Sequence, residues 1–361
     1  MPVGGRFAFR TDVARGGLVC VIALAAGLTA HGKSLHDAPE PRATLVARSK
    51  VWLPTDIPSM NLLIGPTGRG SFLPDSTVEC TYQAVKLHGK SPKFACGLPG
   101  GKSLKVKYGE NNGEVFGEVA ASRLLWALGF GADRMYSVRV VCHECPSSIG
   151  TVGRDNSDRI VDPAAVEKKM PHRLSERWSW KELDQIDERA GGATRAERDG
   201  FKLLAVLIQH GDSKPEQQRI VCASGGGDNA RCAVPLVMIQ DLGNTFGHAA
   251  TFSGPQRLST NFTRWVRQPI WKDPKRCLGN LDGVFTSTLH DPRIGEGGRQ
   301  FLASLLAQLS DQQLHDMFAA ARINLRAREP ERSHSEFSSI DEWVEAFKQK
   351  RFEIANHRCP E

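Results

Sequence analysis

The most informative stretch of the chain reads HGDSKPEQ and covers residues 210–217. The apolar segment 201–208 precedes it and predicts a buried helix that runs directly into His210. A second apolar segment, 234–239, predicts a buried strand that ends just before Asp241. Because both buried elements end in charged residues, we expect these polar stretches to lie together in a functional site.

The upstream half of the chain predicts three short strands between residues 77 and 108, the third covering 103–108. An amphipathic helix is predicted from Glu114 to Leu128 and ends at Gly129, a residue suited to the position after a helix. Strands therefore come first and helices follow, a pattern that favours an α+β fold.

The order of these features resembles that of the protein kinases. HGDSKPEQ is similar to the kinase catalytic loop HRDLKPEN, with identity at His210, Asp212, Lys214, Pro215 and Glu216. The DLG at 241–243 stands in the place of the metal-binding DFG. The resemblance covers about residues 77–260 and implies a two-lobed kinase-like fold, with a small β-rich N-lobe and a mainly helical C-lobe.

The resemblance also implies the roles of four residues in transferring a phosphoryl group from ATP with Mg²⁺. Asp212 orients or deprotonates the acceptor hydroxyl, and Lys214 neutralises the group in transit. Asp241 binds Mg²⁺, and Gln217 assists with its amide oxygen where kinases commonly have asparagine. Gly211 replaces the usual arginine of the loop.

The predicted third strand and the helix after it supply the nucleotide-binding residues that the resemblance implies. Lys107 contacts the α- and β-phosphates and pairs with a helix glutamate, although Lys105 on the same strand face competes for this role. We favour Glu118 as the glutamate because Glu114 lies closer to the end of the helix, where fraying is expected.

The turn LHGKSPKF at residues 87–94 lies where a phosphate-covering loop belongs. It is similar to the Gly-x-x-x-Lys loop of HipA-like kinases and differs from the GxGxxG of ordinary protein kinases. Gly89 and Lys93, with Lys90 as an alternative cation, are thus implied to hold phosphate oxygens. The resemblance is to atypical exported bacterial kinases of the HipA-like or secretory-kinase-like kind.

The first thirty residues combine three arginines with an uncharged apolar run, residues 16–30, and predict a cleaved signal peptide. A retained membrane anchor is the alternative. The domain assignment is then signal peptide 1–30, N-terminal extension 31–76, N-lobe 77–150 and C-lobe 151–361. We expect a periplasmic or secreted protein without a stable membrane span after cleavage.

Removal of the leader leaves eight cysteines, an even number that suggests disulfide bonds in an exported protein. A predicted hairpin centred on His88 places Cys80 opposite Cys96, and Cys222 and Cys232 flank a glycine-rich tract at 224–228. The Cys142-His-Glu-Cys145 spacing favours a structural disulfide but also suits zinc or thiol exchange. Cys277 and Cys359 have no predicted partner.

Charge and motifs exclude several other functions. The leader carries three arginines and one aspartate, so its removal lowers the net charge from +7 to +5. This charge is spread along the chain, and we therefore expect no nucleic-acid partner. The chain contains no GxSxG, HExxH or GxxxxGK[ST] motif. It therefore lacks the sequence signatures of elbow-type serine hydrolases, zincins and P-loop NTPases.

The sequence therefore predicts an exported kinase-like phosphotransferase that uses ATP and Mg²⁺ on a protein or small hydroxyl acceptor. A kinase-fold AMP transferase is a close variant. A catalytically inactive, disulfide-stapled pseudokinase that binds a nucleotide or another ligand is the alternative from another class. Thiol–disulfide exchange at Cys142 and Cys145 is a third hypothesis.

Overall fold

A computed structural model describes residues 40–89, 91–146, 157–174, 176–224, 232–247 and 259–360. The predicted leader, Lys90 and most of the tract 224–228 lie outside the described residues. The described residues form both helices and strands, so the mixed α and β composition of the fold is confirmed.

Five strands close into a small barrel in the order β1-β2-β3-β6-β5. Neighbours are antiparallel except for β1 and β5, which are parallel and close the barrel. The strands of the described residues are β1 (Thr77–Gln83), β2 (Lys93–Gly97), β3 (Ser103–Tyr108), β4 (Gly131–Ala132), β5 (Arg134–Cys145), β6 (Ser157–Lys168), β7 (Gln218–Cys222), β8 (Pro235–Ile239), β9 (Trp271–Asp273) and β10 (Leu278–Gly279).

Alternation along the barrel strands separates an apolar core from a polar outer face. The buried residues of this core include Cys80, Phe94, Val106, Tyr136 and Val166. On β3, whose bounds match the prediction, Val106 faces the core, so Lys105 and Lys107 face the opposite side. The side chains of these two lysines therefore lie on the outer face of the barrel.

Helices supply most of the remaining regular structure. Those of the described residues are α1 (Arg42–Ala47), α2 (Glu114–Leu128), α3 (Arg195–Leu207), α4 (Phe262–Arg267), α5 (Glu296–Leu306), α6 (Asp311–Ala320) and α7 (Ile340–Asn356). None of the helices in this part of the chain combines the length and the apolar character needed to cross a lipid bilayer.

Helix α2 has the predicted bounds and stops at Gly129, which is left-handed with φ 85°. A Cβ at this position would lie 2.0 Å from the Leu53 carbonyl oxygen, so only glycine fits. Nearly every residue of α2 is buried, and the helix shares one hydrophobic core with α3. Part of the sequence before the barrel also packs there, through Leu45, Val46, Val51, Ile57 and Leu62.

Helix α3 delivers the HGDSKPEQ segment to the site. It begins with the expected capping box between Thr194 and Glu197, and its apolar face is buried. After the helix, Gln209 adopts a left-handed conformation with φ 52°, which is unfavourable for a residue other than glycine. This turn reverses the chain, and His210 follows it in a fully buried position.

A three-stranded sheet in the order β4-β8-β7 aligns the two polar motifs. Gln240, the residue before Asp241, donates its N–H to the Gln217 carbonyl oxygen at 2.7 Å. Gly211 donates its N–H to the Asn244 carbonyl oxygen at 3.1 Å. The 210–217 segment and the DLG segment therefore run side by side, as their positions after buried elements predict.

Four disulfides join the eight cysteines that follow the leader: Cys80–Cys96, Cys142–Cys145, Cys222–Cys232 and Cys277–Cys359. The first three confirm the expected structural pairings. The predicted hairpin register is wrong by two residues, because Tyr82 rather than Cys80 lies opposite Cys96. The two cysteines are instead diagonal neighbours on one face, with Cα atoms 5.5 Å apart, still within bonding range.

The Cys142–Cys145 disulfide lies inside the barrel core rather than at the surface. Both cysteines have 0% of their surface exposed. An attacking thiolate needs access to a sulfur, so this burial is typical of a structural disulfide rather than of one that exchanges with substrates.

Candidate active site

Lys107 lies at the centre of a cluster of carboxylates. Its Nζ is 2.6 Å from Glu118 Oε2, 2.7 Å from Glu114 Oε2 and 3.5 Å from Asp241 Oδ1. Strand β3, helix α2 and the segment after β8 thus contribute to one site. The predicted lysine, helix glutamate and DLG aspartate are brought together, and Glu114 joins them.

The mutual attraction in this cluster dominates the charge state of Lys107 and Asp241. Burial alone would lower the pKa of Lys107, but the three carboxylates outweigh it and raise that pKa well above its usual value. Burial would raise the pKa of Asp241, yet the Lys107 ammonium holds it well below the usual range. Asp241 is therefore ionised at neutral pH.

The pKa of Glu118 shifts upwards, in the opposite direction to that of Asp241. Glu118 is buried at the back of the cluster, and burial raises its pKa to about 7 against the opposing attraction of Lys107. Its other oxygen, Oε1, accepts the Leu242 N–H at 3.4 Å. Glu118 therefore ties α2 to the DLG segment as well as to β3.

Replacing Lys107 by methionine should destabilise the fold by about 3–5 kcal/mol at pH 7, because it leaves buried carboxylates without their cation. Acid should reduce this cost, since burial raises the pKa of Glu118 to about 7 and this carboxylate can then take up a proton. Urea unfolding at pH 7 and pH 5 measures both effects. Lys348→Met, on the outer face of α7, is the matched control and should change stability much less. Equal costs for the two variants would refute the central role of Lys107.

Lys105, the competing lysine, has a different partner. Its Nζ forms an ion pair with Glu167 of β6, and burial lowers its pKa. Lys107 is therefore the β3 lysine that bonds both glutamates of α2 and reaches Asp241.

Lys93 lies beside Lys107 rather than at the tip of a turn. It opens β2 and is the register partner of Lys107, so the two side chains share a face of the sheet. The Lys93 Nζ folds towards the loop and donates to Ser91 Oγ at 3.3 Å. A Cβ on Gly89, where φ is 91°, would lie 2.6 Å from the Lys93 Nζ. Gly89 and Lys93 thus lie together at the mouth of the cluster.

Asp212 is held by its own loop. Its Oδ2 is 3.0 Å from Lys214 Nζ and accepts a longer hydrogen bond, 3.5 Å, from Gln217 Nε2. Its Oδ1 is buried without a hydrogen-bond partner among the described residues. Burial raises the pKa of Asp212, Lys214 opposes this rise, and the negative charge of Asp241 adds to it. The negative charges of Asp212 and Asp241 therefore repel each other across the site.

A second segment clamps the backbone on both sides of Asp212. Ser287 Oγ donates to the Gly211 carbonyl oxygen at 2.6 Å, and Thr288 Oγ1 donates to that of Ser213 at 2.8 Å. The Leu289 N–H donates to Ser213 Oγ at 3.0 Å. These bonds fix the backbone that carries Asp212, which is the rigidity that a positioned carboxylate requires.

His210 lies beneath the loop and is fully buried. Among the described residues neither of its ring nitrogens has a hydrogen-bond partner. Burial lowers its pKa to about 4 despite the attraction of Asp241. The folded protein therefore keeps this imidazole neutral at pH values where the unfolded chain takes up a proton.

The pH dependence of stability should reveal the burial of His210. Between pH 6.5 and pH 4 the unfolded chain binds more protons at this histidine, so its contribution to stability is lost as pH falls. Relative to His210→Gln, the wild type should lose about 2–3 kcal/mol between pH 7 and pH 4.5, measured by urea unfolding. The control His334→Gln, at an exposed histidine, should keep the wild-type pH profile. A difference in the free energy of unfolding between wild type and His210→Gln that does not change with pH would contradict the lowered pKa of His210.

Glu114, which the expected fraying placed second to Glu118, also belongs to the site. The expectation of fraying fails because Glu114 is largely buried and Asn112 Oδ1 accepts its N–H at 3.2 Å. The Gly243 backbone also packs closely on the Glu114 side chain, since an added Cβ would lie 2.6 Å from its Cγ. The i,i+4 spacing of Glu114 and Glu118 was the available signal, because both residues then lie on one helix face.

No family model and no curated protein matches this chain. The solved structures that resemble it include a Helicobacter pylori proinflammatory kinase, CtkA, with 12% sequence identity and a TM-score of 0.39. The likeness covers 78% of this chain and 95% of that chain. A TM-score this low does not establish a shared fold.

Proposed function

We propose that the chain is an exported phosphotransferase with a two-lobed kinase-like fold, of the atypical HipA-like or secretory-kinase-like kind. The barrel belongs to the N-lobe, and because β6 (Ser157–Lys168) is one of its strands, the C-lobe begins after residue 168 rather than at the expected 151. The enzyme moves a phosphoryl group from ATP to a hydroxyl of a protein or small acceptor. The observation that carries the proposal is the buried Lys107, which bonds Glu118 and lies 3.5 Å from Asp241.

The residues of the cluster fit a magnesium ion. Glu114, Glu118 and Asp241 each offer a carboxylate oxygen, and these oxygens lie within 4.8 Å of one another. Hard oxygen ligands are those that Mg²⁺ prefers in proteins. Asp241, which stays ionised and is partly exposed, would hold the ion, and the amide oxygen of Gln217 would assist.

The cations beside this cluster fit a nucleotide. Lys107 would contact the inner phosphates, and the two glutamates of α2 keep its ammonium in place. Lys93 and the backbone at Gly89, whose φ of 91° favours glycine, would cover the outer phosphates. Bound Mg·ATP would supply the transferable phosphoryl group, and these cations would neutralise the negative charge of its phosphates.

The loop that carries Asp212 fits the acceptor side of the reaction. Its buried Oδ1 lacks a hydrogen-bond partner among the residues described and is available to an acceptor hydroxyl. Lys214, 3.0 Å from Oδ2, would neutralise charge on the phosphoryl group as it moves. Phosphoryl transfer depends mainly on such positioning and neutralisation, so the site needs no covalent intermediate.

Export is supported by the four disulfides together with the predicted leader. Disulfides persist in secreted and periplasmic proteins and are rare where thiols are kept reduced. An exported enzyme of this kind would act on acceptors in an oxidising compartment.

Two labelled nucleotides distinguish the possible activities. The purified protein is incubated with Mg²⁺ and either γ-³²P-ATP or α-³²P-ATP, with a general protein acceptor present, and a parallel sample contains EDTA. We expect label on protein from the γ-position only, and none with EDTA. Thermal stabilisation by Mg·ATP is measured on the same samples.

The other outcomes have definite meanings. Label from the α-position would replace phosphoryl transfer by AMP transfer on the same site. Stabilisation by Mg·ATP without label on protein or on small hydroxyl acceptors would assign the chain to the nucleotide-binding modules. A protein that Mg·ATP neither stabilises nor labels would overturn the proposal.

A further inference from the structure

A second group of potential metal ligands lies far along the chain from the carboxylate cluster. The sulfurs of Cys277 and Cys359 and a ring nitrogen of His357 all lie within 4.8 Å of one another. The two cysteines are disulfide-bonded, and 8% of the Cys359 surface is exposed beside the partly exposed His357, whereas both sulfur-bearing residues of the Cys142–Cys145 disulfide are 0% exposed. Two sulfurs and one imidazole are a ligand set that zinc binds in proteins.

The backbone explains why these three side chains converge. Cys277 follows the short helical turn Pro274–Arg276 and is left-handed, with φ 47°, between β9 and β10. The last helix, α7, ends before His357, whose backbone is extended. In an extended segment residues i and i+2 share a face, so His357 and Cys359 both face Cys277.

The contacts around His357 prepare its imidazole for a metal. Its Nε2 donates to the Pro274 carbonyl oxygen at 2.9 Å, which leaves the lone pair on Nδ1. The ring packs on Trp271 with centroids 4.8 Å apart. Metal-binding histidines commonly donate their second ring nitrogen to a carbonyl in this way, which fixes the tautomer and the ring orientation.

The cysteine at the end of the chain is anchored independently of its disulfide. The Cys359 N–H donates to Glu296 Oε2 at 2.8 Å, and Arg299 bonds the same carboxylate at 2.9 Å. Arg299 also donates to the carbonyl oxygens of Ile354 and Ala355 at 3.0 Å. The segment after α7 therefore keeps its position on α5 even when the sulfurs are not bonded to each other.

We propose that reduction of the Cys277–Cys359 disulfide creates a zinc site formed by Cys277, Cys359 and His357. An external dithiol supplies two electrons and two protons, its own sulfurs become a disulfide, and the S–S bond of the protein opens to two thiols. Zn²⁺ then displaces the two thiol protons and binds both thiolates and the imidazole. Water completes the four ligands.

The geometry requires only a small movement. With Zn–S distances of about 2.3 Å, tetrahedral binding needs the sulfurs about 3.8 Å apart. Rotation of the two side chains can provide this separation, since the Cα atoms are already 5.5 Å apart. The segment 357–359 is thereby tied to the 271–279 hairpin in both redox states, by a disulfide or by a metal. This inference does not depend on the proposed phosphotransfer.

Cobalt and zinc binding to the full chain test the site. The protein is reduced with dithiothreitol and desalted under nitrogen. One portion is alkylated, and mass spectrometry verifies that Cys277 and Cys359 are thiols. Titration with Co²⁺ should then give thiolate-to-cobalt absorption, which Zn²⁺ abolishes. His357→Ala keeps both cysteines and, because it removes a direct ligand, should weaken Zn²⁺ binding by more than the roughly 10- to 100-fold that loss of a ligand's hydrogen-bond partner costs. The matched variant His334→Ala, at an exposed histidine, should bind like the wild type.

The double variant Cys277→Ser/Cys359→Ser separates this site from the six other cysteines that follow the leader. We expect it to lose the zinc-sensitive cobalt absorption of one site per chain. Equal absorption in the double variant and the wild type, or unchanged zinc affinity in His357→Ala, would overturn the proposal. A Cys277–Cys359 bond that resists reduction in the folded protein would also overturn it.

Discussion

Replacing Asp241 by asparagine should lower Mg²⁺-dependent phosphoryl transfer from ATP by about 10²–10³-fold. The substitution keeps the shape of the side chain but removes the charge that Lys107 holds in its ionised form. A neutral amide is a weaker ligand for Mg²⁺ than a carboxylate, so the proposed site should bind the metal more weakly. Initial rates over a range of Mg²⁺ concentrations measure the effect.

The control for this variant is Asp341→Asn, in the exposed first turn of α7. It removes one carboxylate charge, as Asp241→Asn does, but at a position distant in sequence from the cluster. It should leave the rate of phosphoryl transfer unchanged. Phosphoryl transfer that survives in Asp241→Asn would contradict the assignment of the metal to this carboxylate, provided the variant unfolds at the wild-type urea concentration.

Asp212→Asn should lower kcat by about 10²–10⁴-fold while leaving the affinity for Mg·ATP nearly unchanged. In the proposed reaction Asp212 lies on the acceptor side, and the substitution would remove the base that orients the acceptor hydroxyl. In the wild type, burial raises the pKa of this carboxyl, so kcat should fall on the acid side at a pH above the usual aspartate range. Steady-state kinetics against pH measure both predictions.

Glu216→Gln is the matched control on the same loop. Its side chain is exposed and lies 3.9 Å from Arg177, so its charge should be dispensable for transfer. A kcat for Asp212→Asn that equals that of Glu216→Gln would refute the role of Asp212. A loss of nucleotide affinity instead of kcat would move Asp212 to the nucleotide side of the site.

Local sequence signals were sufficient for the elements that hold the site. Helix α2 stops at the glycine that the sequence places after it, Gly129. On strand β3, lysines alternate with residues that face the barrel core. The capping box at Thr194 and the apolar run after it define α3. These elements carry Glu118 and Lys107 and lead to His210, so most of the candidate site follows from local patterns.

The parts that escaped prediction depend on tertiary contacts. Strand β6 was not predicted because its first half is polar and a proline interrupts it at position 163, yet it pairs with both β3 and β5. The register of β1 and β2 depends on how the barrel closes, and no feature of the turn determines it. Glu114 belongs to the site because the DLG segment packs on it, a contact that joins residues distant in sequence.

Calorimetric titration of the protein with ATP, with and without Mg²⁺, tests the central claim most directly. The claim is that Lys107, Glu118, Asp241 and the 210–217 segment form one nucleotide site. We predict one ATP per chain in the presence of Mg²⁺, and a loss of this binding in Asp241→Asn but not in Asp341→Asn. Absence of binding to the wild type, or binding that Asp241→Asn leaves unchanged, would contradict it.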